Sequence, residues 1–250
     1  MKSESSLLRV ENLTVTFTRW GQSVKALDSV NLSVPQGQWL MVVGHNGSGK
    51  STLLKAISGR ISDGDGEVFI GERHVTDMTP PELADTLFYV HQDPLLGTAP
   101  MLTLYENLVV ADSQAQAERE TKHQRFLRYK ELLSPLNLSD RLKQPVRTLS
   151  GGERQLLALL IARLRPSLLV LLDEPFAALD PAKADLCLRE IVRMHEAGKT
   201  LIQVTHDEGR AFSLGDRTVV LKGGRVVYDE VGAARSKDGR RQLWYSEPQE

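Results

Sequence analysis

The fold is decided by the stretch Gly44-His45-Asn46-Gly47-Ser48-Gly49-Lys50-Ser51-Thr52. An apolar run at 39–43 precedes this stretch, and residues 53–57 have the pattern of a helix. A strand, a glycine-rich turn and a helix start are the context that a phosphate-binding loop requires. A glycine-rich hairpin turn is the alternative, but it does not explain the lysine, the hydroxyl and both flanking elements. The pattern therefore predicts a phosphate-binding loop at 44–52.

The residue types in this loop suit a nucleotide phosphate chain. Glycines let successive backbone N–H groups turn towards an anion, and the following helix adds the partial positive charge of its N-terminus. Lys50 supplies a full charge for the β- and γ-phosphates, and the Ser51 hydroxyl is placed to bind Mg²⁺. The predicted nucleotide contacts are Gly44, Asn46, Gly47, Ser48, Gly49, Lys50, Ser51 and Thr52.

The composition is that of a globular chain with a sizeable core, since its 250 residues are 25% charged and its net charge is -1. This balance favours neither a nucleic-acid partner nor a disordered acidic chain. The one cysteine, Cys187, excludes an internal disulfide framework and fits a reducing compartment. No apolar signal-peptide core follows Met1, and Arg163 and Arg165 interrupt the most apolar stretch, 156–172. We therefore expect a soluble cytosolic protein that reaches a membrane only through a partner.

The N-terminal part has the alternation of an antiparallel sheet. Apolar and polar residues alternate over 7–17, a turn pattern follows at 19–23, and the alternation resumes up to residue 34. An aromatic residue in such a sheet beside the nucleotide site can stack on adenine. Phe17, at the strand end, is the first candidate and Trp20 the second, although either could equally be a buried strand aromatic. After the loop, 63–66 is predicted to be a turn and 67–70 a strand.

A short apolar strand at 87–90 ends close to Gln92, which is placed to reach Mg²⁺ or an attacking water. Taken alone, Gln92 would more simply be a polar strand terminus. From residue 93 the pattern becomes mainly helical, which predicts a helical insert at about 93–165. Within this insert, the charged stretch 114–130 is predicted to be a solvated helical face without chemistry.

A second glycine-containing helix start lies inside the insert. Ser150, Gly151, Gly152 and Glu153 directly precede a long apolar helix pattern. A serine and two glycines at a helix N-terminus can bind an anion. Simple capping of the helix by Ser150 is the alternative, and it would be preferred if this segment stood alone.

Two further buried strands each deliver polar residues at their ends. The fully apolar run 168–172 is typical of a central parallel strand, and it ends in Asp173 and Glu174. At this edge of an open α/β sheet Asp173 can hold Mg²⁺, and Glu174 can accept a proton from a water that attacks the γ-phosphate. The strand at 200–204 delivers His206, which we expect to contact the γ-phosphate.

Taken in order, these motifs resemble those of ABC-type ATPase subunits, and the resemblance covers residues 7 to about 230. Its most specific part is Leu149-Ser150-Gly151-Gly152-Glu153. The resemblance makes 44–52 the Walker A loop, Gln92 the Q-loop glutamine and 150–155 the signature motif. It also makes Asp173 and Glu174 the end of Walker B, Asp180 the D-loop acid, His206 the switch histidine and Phe17 the adenine-stacking aromatic.

The family resemblance implies an α/β fold of the P-loop NTPase class, with a RecA-like core, an antiparallel β subdomain and an inserted helical subdomain. The core would comprise 1–92 and 166–232, the helical subdomain 93–165 and a polar tail 233–250. Two copies would face each other head to tail, so that each ATP with its Mg²⁺ lies between the phosphate loop of one and the signature motif of the other. The implied partners are transmembrane permease subunits and, indirectly, an extracytoplasmic solute-binding protein, with no nucleic acid. This arrangement places the chain on the cytoplasmic face of a membrane.

Several residues depart from the pattern that is usual in the family. Phe17 stands where tyrosine is more usual, Ala178 where serine is common in the D-loop, and Ile161 where many relatives carry arginine. The segment 92–100 and the helix after the signature are similar to those of a subgroup that imports amino acids and similar small solutes. An importer subunit is therefore the first hypothesis. The alternatives are an exporter or lipid-transporter subunit, a soluble ABC ATPase that acts on ribosomes or DNA, and a non-catalytic nucleotide-binding module.

Overall fold

The computed structural model describes residues 6–19, 22–112, 120–177 and 179–232. The described residues form ten strands: β1 Ser6–Arg19, β2 Gln22–Pro35, β3 Trp39–Val43, β4 Gly64–Ile70, β5 Arg73–His74, β6 Leu87–Val90, β7 Leu169–Asp173, β8 Thr200–Thr205, β9 Arg217–Lys222 and β10 Arg225–Val231. They also form seven α-helices: α1 Lys50–Ile57, α2 Pro80–Thr86, α3 Leu104–Ala111, α4 Lys122–Leu133, α5 Gly151–Leu164, α6 Pro181–Glu196 and α7 Glu208–Leu214.

The chain divides into two compact units. The first comprises Met1–Thr79 and Thr200–Glu250, and the second comprises Pro80–Lys199. The functional subdivision predicted from the sequence, with a helical insert at 93–165, stays a prediction, because compactness alone does not identify a functional lobe.

The first unit contains the expected antiparallel sheet, in the order β2-β1-β4-β5. The alternating residues Leu8, Val10, Leu13 and Val15 of β1 are buried, as the pattern predicts. The predicted turn at 63–66 is wrong, because β4 already begins at Gly64. Gly66 has φ +94°, and the pairing of β4 with β1 shifts register between Glu11 and Thr14, so a bulge lets the strand pass through this glycine pair.

A second set of paired strands lies in the same unit. β3 pairs in parallel with β8 and with β9, and β9 pairs antiparallel with β10. All residues of β3 and of β8 are buried, which is the burial expected of central strands covered on both faces. The predicted strand at 200–204 is confirmed by β8.

The second unit is mainly helical and contains the parallel pair β6 and β7. All five residues of β7 are buried, which confirms the predicted central strand. Helix α5 is buried on every side from Gln155 to Ala162. The described part of the chain contains no helix with the length and apolarity to cross a membrane.

Helix α4 corrects the prediction of a purely solvated face at 114–130. Tyr129 is completely buried, and its hydroxyl donates to Asp112 Oδ2 at 2.8 Å. Arg128 pairs with Glu120 at 2.9 Å and with Asp112. The sequence pattern did not indicate the burial of Tyr129, because a single tyrosine in a polar stretch leaves little hydrophobic periodicity. Residues 114–119 of the stretch lie outside the described residues.

Candidate nucleotide-binding site

The loop between β3 and α1 is packed on one side and open on the other. A Cβ on Gly44 would lie 2.3 Å from the carbonyl oxygen of Leu221, and a Cβ on Gly49 would lie 2.4 Å from that of Ala26. Gly49 also has φ +106° and caps α1 without any side-chain hydrogen bond. Gly47, at φ +82°, has no neighbouring atom within 4 Å of such a Cβ. Glycine is therefore needed where the loop meets the fold, and the open side leaves room for a ligand.

Lys50 is buried and lies against its own loop. Its Nζ donates to the carbonyl oxygens of Gly44 at 2.6 Å and His45 at 3.0 Å. The Ser48 Oγ is buried without a hydrogen-bond partner among the described residues. Ser51 lies in the first turn of α1 with an exposed side chain. A fixed ammonium group, the N–H groups of a helix start and a hydroxyl fit the oxygens of a phosphate chain and an accompanying Mg²⁺.

His206 emerges at the same strand edge as this loop. In the parallel pair β3 and β8, Val43 lies opposite Thr205, so the chain leaves both strands at the same level. His206 is exposed there, directly after Thr205, whose Oγ1 accepts a hydrogen bond from the Asp207 N–H at 3.0 Å. The first unit therefore brings the phosphate loop and the predicted switch histidine to one edge.

Phe17 offers an exposed aromatic face. It is 47% exposed on β1 and lies opposite Val24 of β2, which is 62% exposed. Two exposed apolar side chains on paired strands form a flat surface that suits a purine base. The buried alternative for Phe17 is therefore wrong. Trp20, the second candidate, lies outside the described residues.

In the second unit, Gln92 lies two residues after β6, Asp173 is the last residue of β7, and Glu174 follows it. In this parallel pair of strands Val90 lies opposite Leu172. Gln92 is exposed and Asp173 is buried. The strand register thus brings the predicted amide and carboxylates to one edge of this strand pair.

Tyr89 is a residue of this edge that the sequence did not single out. Its hydroxyl donates to Asp173 Oδ2 at 2.8 Å and its ring stacks on His91 with the centroids 4.1 Å apart. Tyr89 lies opposite Leu171, two residues before Asp173 on the same face of the sheet. Only the register of β6 on β7 could have identified Tyr89, because it brings the long tyrosine side chain within reach of Asp173. Its hydrogen bond fixes the orientation of a predicted Mg²⁺ ligand.

Ser150 caps α5 through a capping box. The Ser150 N–H donates to Glu153 Oε2 at 2.7 Å, and Ser150 Oγ accepts from the Glu153 N–H at 3.3 Å. Burial opposes the negative charge of Glu153, but the hydrogen bonds from Ser150 keep the pKa of this carboxyl below its ordinary value. The capping alternative thus holds, and anion binding by Ser150, Gly151 and Gly152 stays a prediction.

Asp180 caps the next helix, α6. Its Oδ1 accepts from the Lys183 N–H at 2.9 Å, and its Oδ2 pairs with Lys183 Nζ at 2.8 Å. These hydrogen bonds lower the pKa of Asp180. A Cβ on Gly152 would lie 2.3 Å from Lys183 Cδ and 3.2 Å from Leu179 Cδ2, so the starts of α5 and α6 touch each other. Ala178 of the predicted D-loop lies outside the described residues.

Comparison with known proteins identifies the family. The profile of the family described as ABC transporter matches residues 27–177. A tyrosine transport ATP-binding protein of Clostridioides difficile is 34% identical over 234 residues, which are 89% of this chain and 91% of that protein. The carnitine transport ATP-binding protein OpuCA of Listeria monocytogenes is also 34% identical, over 88% of this chain and 54% of that protein. The chain spans about half the length of several relatives that it matches.

Solved structures share the fold. The chain resembles the dimeric structure of MJ0796, a bacterial ABC transporter cassette, with a TM-score of 0.76 and 29% identity over 90% of this chain and 98% of that one. The same similarity holds for a dimeric post-hydrolysis state of that cassette bound to ADP and Pi. The P-loop NTPase fold expected from the motifs is confirmed, and the chain belongs to the ABC transporter family, as an ATP-binding cassette.

Proposed function

We propose that this chain binds and hydrolyses ATP and that the hydrolysis powers transport by a membrane ABC transporter. The observation that carries the proposal is the phosphate loop, in which Lys50 is held on two loop carbonyls beside an open glycine face. A non-catalytic module would not also need two carboxylates at the end of β7, and Asp173 and Glu174 are both present there.

Each predicted site residue has a chemical role in this proposal. Lys50 and the N–H groups of 44–52 bind the β- and γ-phosphates, and Phe17 stacks on adenine. Glu174 orients the attacking water and accepts its proton, and His206 contacts the γ-phosphate. Gln92 senses the same water. Ser51, Gln92 and Asp173 would hold Mg²⁺, which when bound neutralises charge on the β- and γ-phosphates.

The second half of the proposal is a head-to-tail pair of copies. Ser150, Gly151, Gly152 and Glu153, with Asp180, would meet the ATP that is held by the phosphate loop of the other copy. A two-fold pair satisfies both sites at once, because each copy contributes one of each kind. Loss of the γ-phosphate on hydrolysis then loosens the pair. The dimeric MJ0796 cassettes support this arrangement.

The partner of the pair would be a set of transmembrane permease subunits. Leu96, Met101 and Val110 are large apolar side chains that are exposed in the second unit, near Gln92 in the sequence. Such a surface suits an amphipathic permease helix. The chain would then work at the cytoplasmic face of the membrane, with an extracytoplasmic solute-binding protein as an indirect partner. The relatives named for tyrosine and carnitine transport support a small solute as the cargo, and import is the direction that we propose.

The Glu174→Gln variant tests the proposal. Since a positioned base contributes about 10²–10⁴ in rate, ATP hydrolysis should fall by that factor, while ATP-dependent pairing of two copies persists. In membranes with the cognate permease, solute uptake should be lost in parallel. Glu131→Gln, an exposed change on α4, is the matched control and should behave as wild type. Wild-type hydrolysis by Glu174→Gln would contradict the mechanism.

A further inference from the structure

The signature end of α5 carries an unusual balance of charge for a surface that must meet a phosphate. Two carboxylates lie at this surface, Glu153 at the start of α5 and Asp180 at the start of α6. Arg141 reaches Glu153 with an N–O distance of 3.7 Å. Lys183 is the cation at Asp180. Each carboxylate thus has a cation beside it, and loss of Lys183 would leave Asp180 without its cation where an anion should bind.

Lys183 is a cation that lies over the signature glycine Gly152. Its Cδ would be 2.3 Å from a Cβ on Gly152, so its aliphatic chain runs across the backbone of that glycine. A side chain at residue 152 would displace the flexible outer part of Lys183. The side chain is 36% exposed, and its Nζ bonds to Asp180 Oδ2 at 2.8 Å.

We propose that Lys183 is a further phosphate-binding residue, which brings its ammonium group to the γ-phosphate that the signature surface receives from a second copy. This inference rests on the proposed ATP-dependent pairing. An ammonium group has three donors, and the bond to Asp180 uses one of them, so Lys183 can bind a phosphate oxygen as well. Because a triphosphate carries more negative charge than a single carboxylate, it is also the stronger partner for the Lys183 ammonium group.

The protonation of Lys183 fits this role. Its hydrogen bond to Asp180 raises the pKa of the amine, so the group is charged at neutral pH. In the absence of nucleotide, the bond to Asp180 keeps the amine beside α6. Arrival of a phosphate would then require only a rotation of the outer part of a partly exposed side chain.

The test uses Glu174→Gln as the parent, because it should pair on ATP without hydrolysing it. The measurement is the ATP concentration at half-maximal pairing, by light scattering, for the parent and for Lys183→Gln, Lys183→Arg and Arg189→Gln in that background. Arg189 is the matched control, since it is also an exposed cation of α6 with an aspartate partner, Asp185. ATP affinity of the single copy is measured at protein concentrations too low for pairing.

Lys183→Gln should raise the half-maximal ATP concentration about tenfold, the effect of one unit charge acting near a phosphate. Lys183→Arg should stay close to the parent, Arg189→Gln should match it, and single-copy affinity should not change in any variant. If Lys183→Gln pairs at the same half-maximal ATP concentration as the parent, the role of Lys183 is overturned, whereas the proposed pairing is not. A parent that does not pair on ATP would overturn the proposed pairing, and the inference with it.

Discussion

At the scale of the residue, Glu174 combines a chemical group with a strained backbone. Its φ is +46°, in the left-handed region that side chains other than glycine rarely adopt. The strand β7 ends directly before it, and the Ala177 N–H donates to the Glu174 carbonyl at 3.0 Å, so the chain turns sharply here. Backbone strain of this kind persists only where the surrounding structure enforces it, and it is frequent at functional sites. The turn keeps Glu174 half-buried beside Asp173.

This strain predicts an inverted preference between glycine and alanine. A left-handed residue costs about 1–2 kcal/mol relative to glycine, whereas glycine loses about 0.5–1 kcal/mol more in entropy on folding. Glu174→Gly should therefore be more stable than Glu174→Ala, by about 0.5–1 kcal/mol in chemical denaturation.

Glu131 provides the control with the opposite sign. It is exposed in the last turns of α4, where its backbone is helical. There Glu131→Gly should be less stable than Glu131→Ala by about 1 kcal/mol. The same sign at both positions would mean that the turn at Glu174 relaxes without cost.

At the scale of the element, α5 is a rigid connection held at both ends. The capping box fixes its start, and Lys199 fixes its end. Lys199 Nζ donates to the carbonyls of Ala162 at 3.0 Å, Arg165 at 2.6 Å and Ser167 at 2.9 Å. Burial lowers the pKa of this amine to about 8, while the three carbonyls favour its charged form. Since β7 begins at Leu169, this lysine ties the helix that starts at Ser150 to the strand that ends at Asp173.

Two of the caps in the second unit, Ser150 and Thr103, separate capping from anion binding. Thr103 caps α3 through Glu106 with the same capping box that Ser150 forms with Glu153. Ser150→Ala and Thr103→Ala should each lower the free energy of unfolding by about 1 kcal/mol. Only Ser150→Ala should also weaken ATP-dependent pairing in the Glu174→Gln background, as measured by light scattering. Equal loss of pairing in both variants would reduce Ser150 to a cap.

The helices and strands also show which parts of the structure can be predicted from the sequence. Runs such as 39–43 and 168–172 predict strands because they are short and fully apolar, whereas the longer apolar run of α5 is a buried helix. The phosphate loop is predictable because its glycines, lysine and hydroxyl act locally. The bond of Tyr89 to Asp173 and the cover of Lys183 over Gly152 are not, because they depend on the strand register and on which helix starts touch. Neither the register nor these contacts is encoded in any short window of sequence.

At the scale of the whole molecule, the phosphate loop belongs to one compact unit and the signature end of α5 to the other. The proposed chemistry requires each ATP to meet both, from two different copies. Such an arrangement determines which combinations of defective copies can still form an intact site. A copy that lacks one kind of surface can still contribute the other kind to its partner.

Two inactive variants should therefore restore activity when they are mixed. Lys50→Ala removes the phosphate-loop charge and Ser150→Arg blocks the signature surface, so each variant alone has no intact site. In a mixed pair, the intact loop of the Ser150→Arg copy meets the intact signature of the Lys50→Ala copy. Random pairing makes about half of the pairs mixed, each with one intact site of two, so hydrolysis should reach about a quarter of the wild-type rate.

The control for this complementation places both substitutions in one chain and mixes that chain with wild type. Every mixed pair then joins a defective surface to an intact one at both sites, so these pairs should contribute no hydrolysis. Activity should come only from pairs of two wild-type copies, about a quarter of all pairs. The decisive comparison is made by titration, because a growing excess of the doubly substituted chain should remove the remaining activity, whereas the two single variants should be most active at equal amounts. A mixture of the single variants that stays inactive at every ratio would contradict the proposal that each ATP is hydrolysed between two copies in a head-to-tail pair.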